Sequence, residues 1–77
     1  MDRLYVLIKV KPGHIEAILE SVSQKKYVIE ASAVTGSFDI IAKIEGASIS
    51  MILSDVVKEI LKIEGILSTE TLVAVDL

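Results

Sequence analysis

The residues that could do chemistry in this sequence are few. His14 is its only histidine. A histidine can act as acid, base or metal ligand, but no other ligand type clusters with His14 in sequence, so a solvated place in a first helical turn is the stronger reading. Glu16 and Glu20 form an i, i+4 carboxylate pair. Catalytic carboxylates need a pocket that perturbs them, and this pair falls on a polar helix face. Ser21, Ser23, Ser48, Ser50, Ser54 and Ser68 lack a nucleophile elbow and have no histidine beside them. None of these patterns builds a catalytic centre, and the expectation is a protein that is not an enzyme.

One stretch remains, Val34-Thr35-Gly36-Ser37-Phe38-Asp39. A glycine supplies a positive φ at little steric cost or lets a ligand approach the backbone closely. Free backbone N–H groups beside a carboxylate can hold a zwitterion, the N–H groups taking its carboxylate and Asp39 its ammonium. The plainer alternative is a hairpin turn in which Asp39 accepts local hydrogen bonds. On residue types alone the plainer alternative carries more weight.

Length and composition bound what can hold this loop. The 77 residues make one domain, 1–77, with no cysteine for a disulfide or a thiolate metal site. A domain this small buries only about 60% of its unfolded surface and usually needs a staple or a partner subunit. Apolar residues make up 52% of the chain and its mean hydropathy is +0.63. That is more apolar surface than one small core hides, and such surplus marks interfaces. The net charge of −3 gives no general attraction to nucleic-acid phosphates. No apolar run approaches the roughly 18 residues of a membrane span, and the start lacks a signal peptide's basic region and cleavage site, so a cytoplasmic location is expected. The sequence has no Asn, no Cys and a single Gln, which fits a thermophilic source.

The elements that must position the loop follow from periodicity. Residues 4–10 alternate as a strand, with Leu4, Val6, Ile8 and Val10 on one face and Tyr5, Leu7 and Lys9 on the other. Pro12 and Gly13 end it. Residues 14–25 carry Ile15, Ile18, Leu19 and Val22 at helical spacing, with Glu16 near the start and Lys25 and Lys26 at the end. Strands are expected over 28–35 and 38–45, the latter with Phe38, Ile40, Ala42 and Ile44 facing the core. A second helix is expected from 47 or 48 to 63, capped by Ser48 or Ser50, its stripe running from Ile49 to Ile63 through Leu53 and Leu61, with Gly65 as C-cap signal. A last strand covers 67–75.

This order, βαββαβ, defines an α+β ferredoxin-like sandwich: a four-stranded antiparallel sheet with two helices on one face. The fold hosts many unrelated activities. Iron–sulfur and heavy-metal sites need cysteines and an acylphosphatase-like site needs an Arg and an Asn; the sequence has no Cys, no Asn and only Arg3. RNA-recognition modules stack bases on aromatics of the central strands, and Tyr5, Tyr27 and Phe38 are not expected to make such a surface. Tyr5, Leu7, Ile41, Leu72 and Ala74 fall on the sheet face opposite the helices, and the expectation is that this face packs on a second subunit in an isologous dimer.

Three stretches also resemble one family. Val34 to Ile44 is similar to the V-T-G-x-[YF]-D-hydrophobic-hydrophobic-x-[KR]-[VI] segment of the effector domain of leucine-responsive (Lrp/AsnC) regulators, the RAM domain. Val6-Leu7-Ile8-Lys9-Val10-Lys11-Pro12-Gly13 resembles its first strand and P-G exit, and Ile63 to Thr71 its I-x-G-[VI]-x-x-[ST]-x-T entry to the last strand. Together the three stretches span most of the chain with fitting spacing. The family's full-length members carry a helix-turn-helix domain before the first strand, which here begins near Met1. The resemblance therefore implies a stand-alone RAM domain without direct DNA binding. It implies dimers through the sheet, assembled into rings such as octamers or decamers, with a small amino acid effector between dimers. By position, Thr35, Gly36, Ser37, Phe38 and Asp39 form the core of the ligand site. Ser68, Thr69 and Thr71 match polar last-strand positions that supply hydroxyls, with strand pairing as their alternative role. No cofactor is implied. The favoured role is an amino-acid-sensing and oligomerising module that co-assembles with full-length Lrp/AsnC regulators; the alternatives are a purely structural homo-oligomer and an ACT-like regulatory module of a metabolic enzyme.

Overall fold

The computed structural model describes residues 1–77. Strand β1 (Asp2–Val10) leads into helix α1 (Ile15–Ser23), then strands β2 (Val28–Ala33) and β3 (Ile40–Gly46). Helix α2 is α-helical over Ile49–Ile52, makes a π-turn over Leu53–Val57 and is α-helical again over Lys58–Ile60. Strand β4 (Ile66–Val73) closes the chain. All pairs in the sheet are antiparallel and its order is β2-β3-β1-β4. The expected βαββαβ ferredoxin-like sandwich is the fold.

Alternation builds the two faces. Leu4, Val6, Ile8 and Val10 of β1 are buried with Ile40, Ala42 and Ile44 of β3, against Ile18 and Val22 of α1 and Ile52, Val56, Val57 and Ile60 of α2. Register puts Leu4 opposite Ile44, Val6 opposite Ala42 and Ile8 opposite Ile40. The opposite face has no helix on it. There Tyr5, Leu7 and Ile41 are half-buried and Leu72 is exposed; Ala74, just past β4, donates its N–H to the Arg3 carbonyl at 2.9 Å.

Several boundaries differ from the sequence expectation, each for a local reason. β2 stops at Ala33 and β3 starts at Ile40, because Val34 N–H bonds to the Asp39 carbonyl and leaves 35–38 as loop. Phe38 therefore lies outside β3, half-buried and not in the core. Helix α1 ends at Ser23, so Lys25 and Lys26 lie beyond its last turn. The π-turn adds a residue to one turn of α2 and shifts the phase of its stripe. Leu53 and Leu61, expected inside, are exposed as a result. Gly65 is not the cap of α2, which ends at Ile60 with Leu61 as C-cap. With φ of +99° it turns the chain into β4, its carbonyl accepting from Lys11 N–H at 2.9 Å. Ser48 is the N-cap of α2, its Oγ accepting from Met51 N–H at 3.1 Å. The Asp2 carboxylate accepts from Ile49 N–H at 3.1 Å, which ties the start of β1 to the same helix end.

Candidate functional site

The loop from Val34 to Asp39 is held at three points. Val34 N–H donates to the Asp39 carbonyl at 2.8 Å and Asp39 N–H donates to the Ile8 carbonyl at 2.9 Å. Val10 N–H donates to Asp39 Oδ2 at 2.9 Å. This last bond spans 29 residues of sequence and fixes the carboxylate against the end of β1. Local turn geometry at Asp39 did not announce it; only the pairing of β1 with β3 brings Val10 within reach.

Between those anchors the backbone is unpaired. The N–H groups of Thr35, Gly36, Ser37 and Phe38 bond to nothing within the chain. Gly36 has φ of +120°, a conformation that costs an L side chain strain, although no atom lies where its Cβ would sit. Thr35, Gly36 and Ser37 are exposed, and Phe38 and Asp39 are half-buried. Asp39 Oδ1 has no partner in the chain. The loop thus offers a run of N–H donors next to one free carboxylate oxygen, which is suited to a ligand bearing a carboxylate and an ammonium together.

A depression of about 520 Å³ lies against Ala33, Val34 and Thr35 and opens to solvent. Ligand pockets bury most of their ligand, and three residues on one side do not enclose one. The strand β4 residues expected to join the site divide between faces. Ser68 pairs with Lys9 on the helix-free face, while Thr69 and Thr71 pair with Ile8 and Val6 on the helix side. Ser68 and Thr69 lie at the same end of the sheet as the loop but with β1 between them. Thr71 sits mid-sheet, away from it. None of the three hydroxyls is in a hydrogen bond within the chain.

The other residues with chemical potential stand apart. His14 occupies the N-cap position of α1, exposed, with its ring over Gly65, where an added Cβ would meet Nδ1 at 3.0 Å. Glu16 and Glu20 are exposed on α1. No group of three or more His, Asp or Glu side chains is arranged to hold a metal ion. One carboxyl has a shifted pKa: Lys62, hydrogen-bonded to Glu59 at 3.0 Å, holds it below the usual glutamate range. That pair is exposed, with Glu59 in the last turn of α2 and Lys62 just past its C-cap.

A small α/β plait hosts many unrelated activities, so the class of this one rests on its likeness to known proteins. The match to known proteins is specific. Residues 3–76 fit the family model of the Lrp/AsnC ligand binding domain, and the chain belongs to that family. TTHA0845 from Thermus thermophilus superposes with a TM-score of 0.92 at 30% identity, over 100% of this chain and 96% of its own. Hypothetical protein PHS023 from Pyrococcus horikoshii gives 0.88 at 25% identity, over 97% of this chain and 90% of its own. E. coli AsnC gives 0.87 at 26% identity, over 97% of this chain but 51% of its own. No curated protein sequence matches the chain. No helix is long and apolar enough to cross a membrane.

Proposed function

We propose that this protein is a cytoplasmic regulatory module, without catalytic activity, that senses an amino acid at the 35–39 loop and assembles through its helix-free sheet face. One observation carries the sensing role: four consecutive unpaired N–H groups, Thr35 to Phe38, stand beside a carboxylate whose second oxygen is free. The N–H groups take the effector's carboxylate, and Asp39 Oδ1 takes its ammonium. Because the depression at Ala33, Val34 and Thr35 is open, a neighbouring subunit supplies the remaining wall. Ser68 and Thr69 reach an effector only from such a neighbour, since β1 separates them from the loop of their own chain.

Tyr5, Leu7, Ile41, Leu72 and Ala74 form the dimer surface, and dimers close into a ring of the octamer or decamer kind. AsnC contains the same fold over half its length, which supports co-assembly of this module with full-length regulators of the family.

The test is a thermal-shift screen against the twenty amino acids at fixed protein concentration. A binder at about 100 times its dissociation constant stabilises by about 2.7 kcal/mol. A shift from at least one amino acid, lost in Asp39→Asn, is expected. No shift from any of them would leave a purely structural oligomer as the better reading.

A further inference from the structure

The helix-free face carries charges as well as apolar residues, and the chain leaves all of them unpaired. Alternation and register assign Arg3, Lys9 and Lys43 to this face, with Glu30, Glu45 and Glu70. Arg3 is directly opposite Glu45, and Lys43 directly opposite Glu30. Neither is an ion pair: the one salt bridge in the chain is Lys62–Glu59, on the helix layer. Arg3 Nε is shielded from water and has no acceptor. Lys43 is half-buried in the middle of the apolar patch, between Tyr5 of β1 and Glu30 of β2. Buried polar atoms are normally satisfied, and cations removed from water need a counter-charge. Arg3 Nε has no acceptor within the chain, and any body that covered the patch would take the half-buried Lys43 out of water, so that body must bring the counter-charge.

The balance of the face says what brings it. Among the paired strand residues three cations and three carboxylates cancel, so the middle of the face attracts neither a polyanion nor a polycation. A second copy, related by a two-fold axis, presents the same balanced set and the same apolar centre, which is self-complementary. We infer that Lys43 is the self-recognition residue of the sheet-face dimer, its ammonium pairing with a carboxylate, Glu30 or Glu70, of the second copy. This inference rests on the proposed sheet-face assembly and adds what selects the partner. A co-assembling regulator must then offer a carboxylate to Lys43, and a domain with a cation there is rejected.

Analytical ultracentrifugation tests this with the wild type, Lys43→Met, Lys43→Glu and the double variant Glu30→Lys/Glu70→Lys, circular dichroism reporting that each folds. The wild type is expected to dimerise or form multiples of dimers. Lys43→Met weakens its dimerisation roughly tenfold or more, because a carboxylate is left desolvated and unpaired. Lys43→Glu and the double variant each fail to self-associate where the wild type does, and a 1:1 mixture of the two restores a heterodimer. A Lys43→Met dimer as tight as wild type, or a mixture that stays monomeric, overturns the inference and leaves the assembly reading standing. A monomeric wild type overturns both.

Discussion

Replacing Asp39 separates its structural role from its proposed ligand role. Its Oδ2 accepts the Val10 N–H at 2.9 Å in a part-buried setting at the end of β1. Asp39→Ala leaves that N–H without an acceptor. Hydrogen bonds to charged groups contribute more than neutral ones, and an orphaned buried donor costs its desolvation, so the expected loss is about 2 kcal/mol. For a domain of this size that lowers the melting temperature by about 10 °C. Asp39→Asn keeps an amide oxygen in the same place and loses only the charge assistance, so it should cost about half as much. The assay is thermal and denaturant unfolding at one protein concentration, because assembly makes the midpoint concentration-dependent. If the Ala variant unfolds within about 0.5 kcal/mol of wild type, the Val10 bond contributes nothing and the reasoning fails. If Asn is as damaging as Ala, the carboxylate's charge and not its acceptor geometry holds β1. The Asn variant is also the cleaner probe of binding, since its fold is nearly intact while the effector's ammonium has lost its counter-charge.

Other consequences follow from particular contacts. Gly46→Ala would place a Cβ 2.6 Å from Met51 Cε and 2.8 Å from Ile52 Cγ1; overpacking of this kind should cost about 1–3 kcal/mol in denaturant unfolding. Ser48→Ala removes the N-cap of α2 and should cost about 1 kcal/mol, readable by the same assay. The lowered pKa of Glu59 comes first from its hydrogen bond to Lys62. Its small stabilising contribution is present above the unfolded pKa and is lost as pH falls through the folded one. Carboxyl titration by NMR should show the Glu59 pKa rise toward the usual range in Lys62→Ala, and also in wild type at high salt.

Much of the fold could be read from side-chain alternation. Leu4, Val6, Ile8 and Val10 announce a strand with one buried face, and they are buried. The Gly36 loop could be located because a glycine between two β-branched runs has few other uses. Helix α2 was harder. A period of 3.6 places Leu53 and Leu61 with Ile52, Val56 and Ile60, but the π-turn breaks that period and exposes both leucines. Nothing in the types of Leu53 to Val57 marks a π-turn. The register shifts at Val28/Glu30 and Lys9/Val10 are also hidden, because they depend on neighbouring strands. The same holds within the site. Residue types pointed to Asp39, but its bond to Val10 depends on strands paired across the sheet. The division of Ser68 from Thr69 and Thr71 between faces depends on where β4 pairs with β1.

The central claim is that the backbone N–H groups of Thr35 to Phe38 hold an effector's carboxylate. The most direct measurement is a titration of the isotope-labelled protein with the stabilising amino acid, following backbone amide resonances by NMR. The account predicts that the amides of Thr35, Gly36, Ser37 and Phe38 shift downfield together and saturably, and that the decarboxylated amine analogue leaves them in place. Saturable binding whose shifts fall elsewhere in the chain and spare these four amides would contradict it.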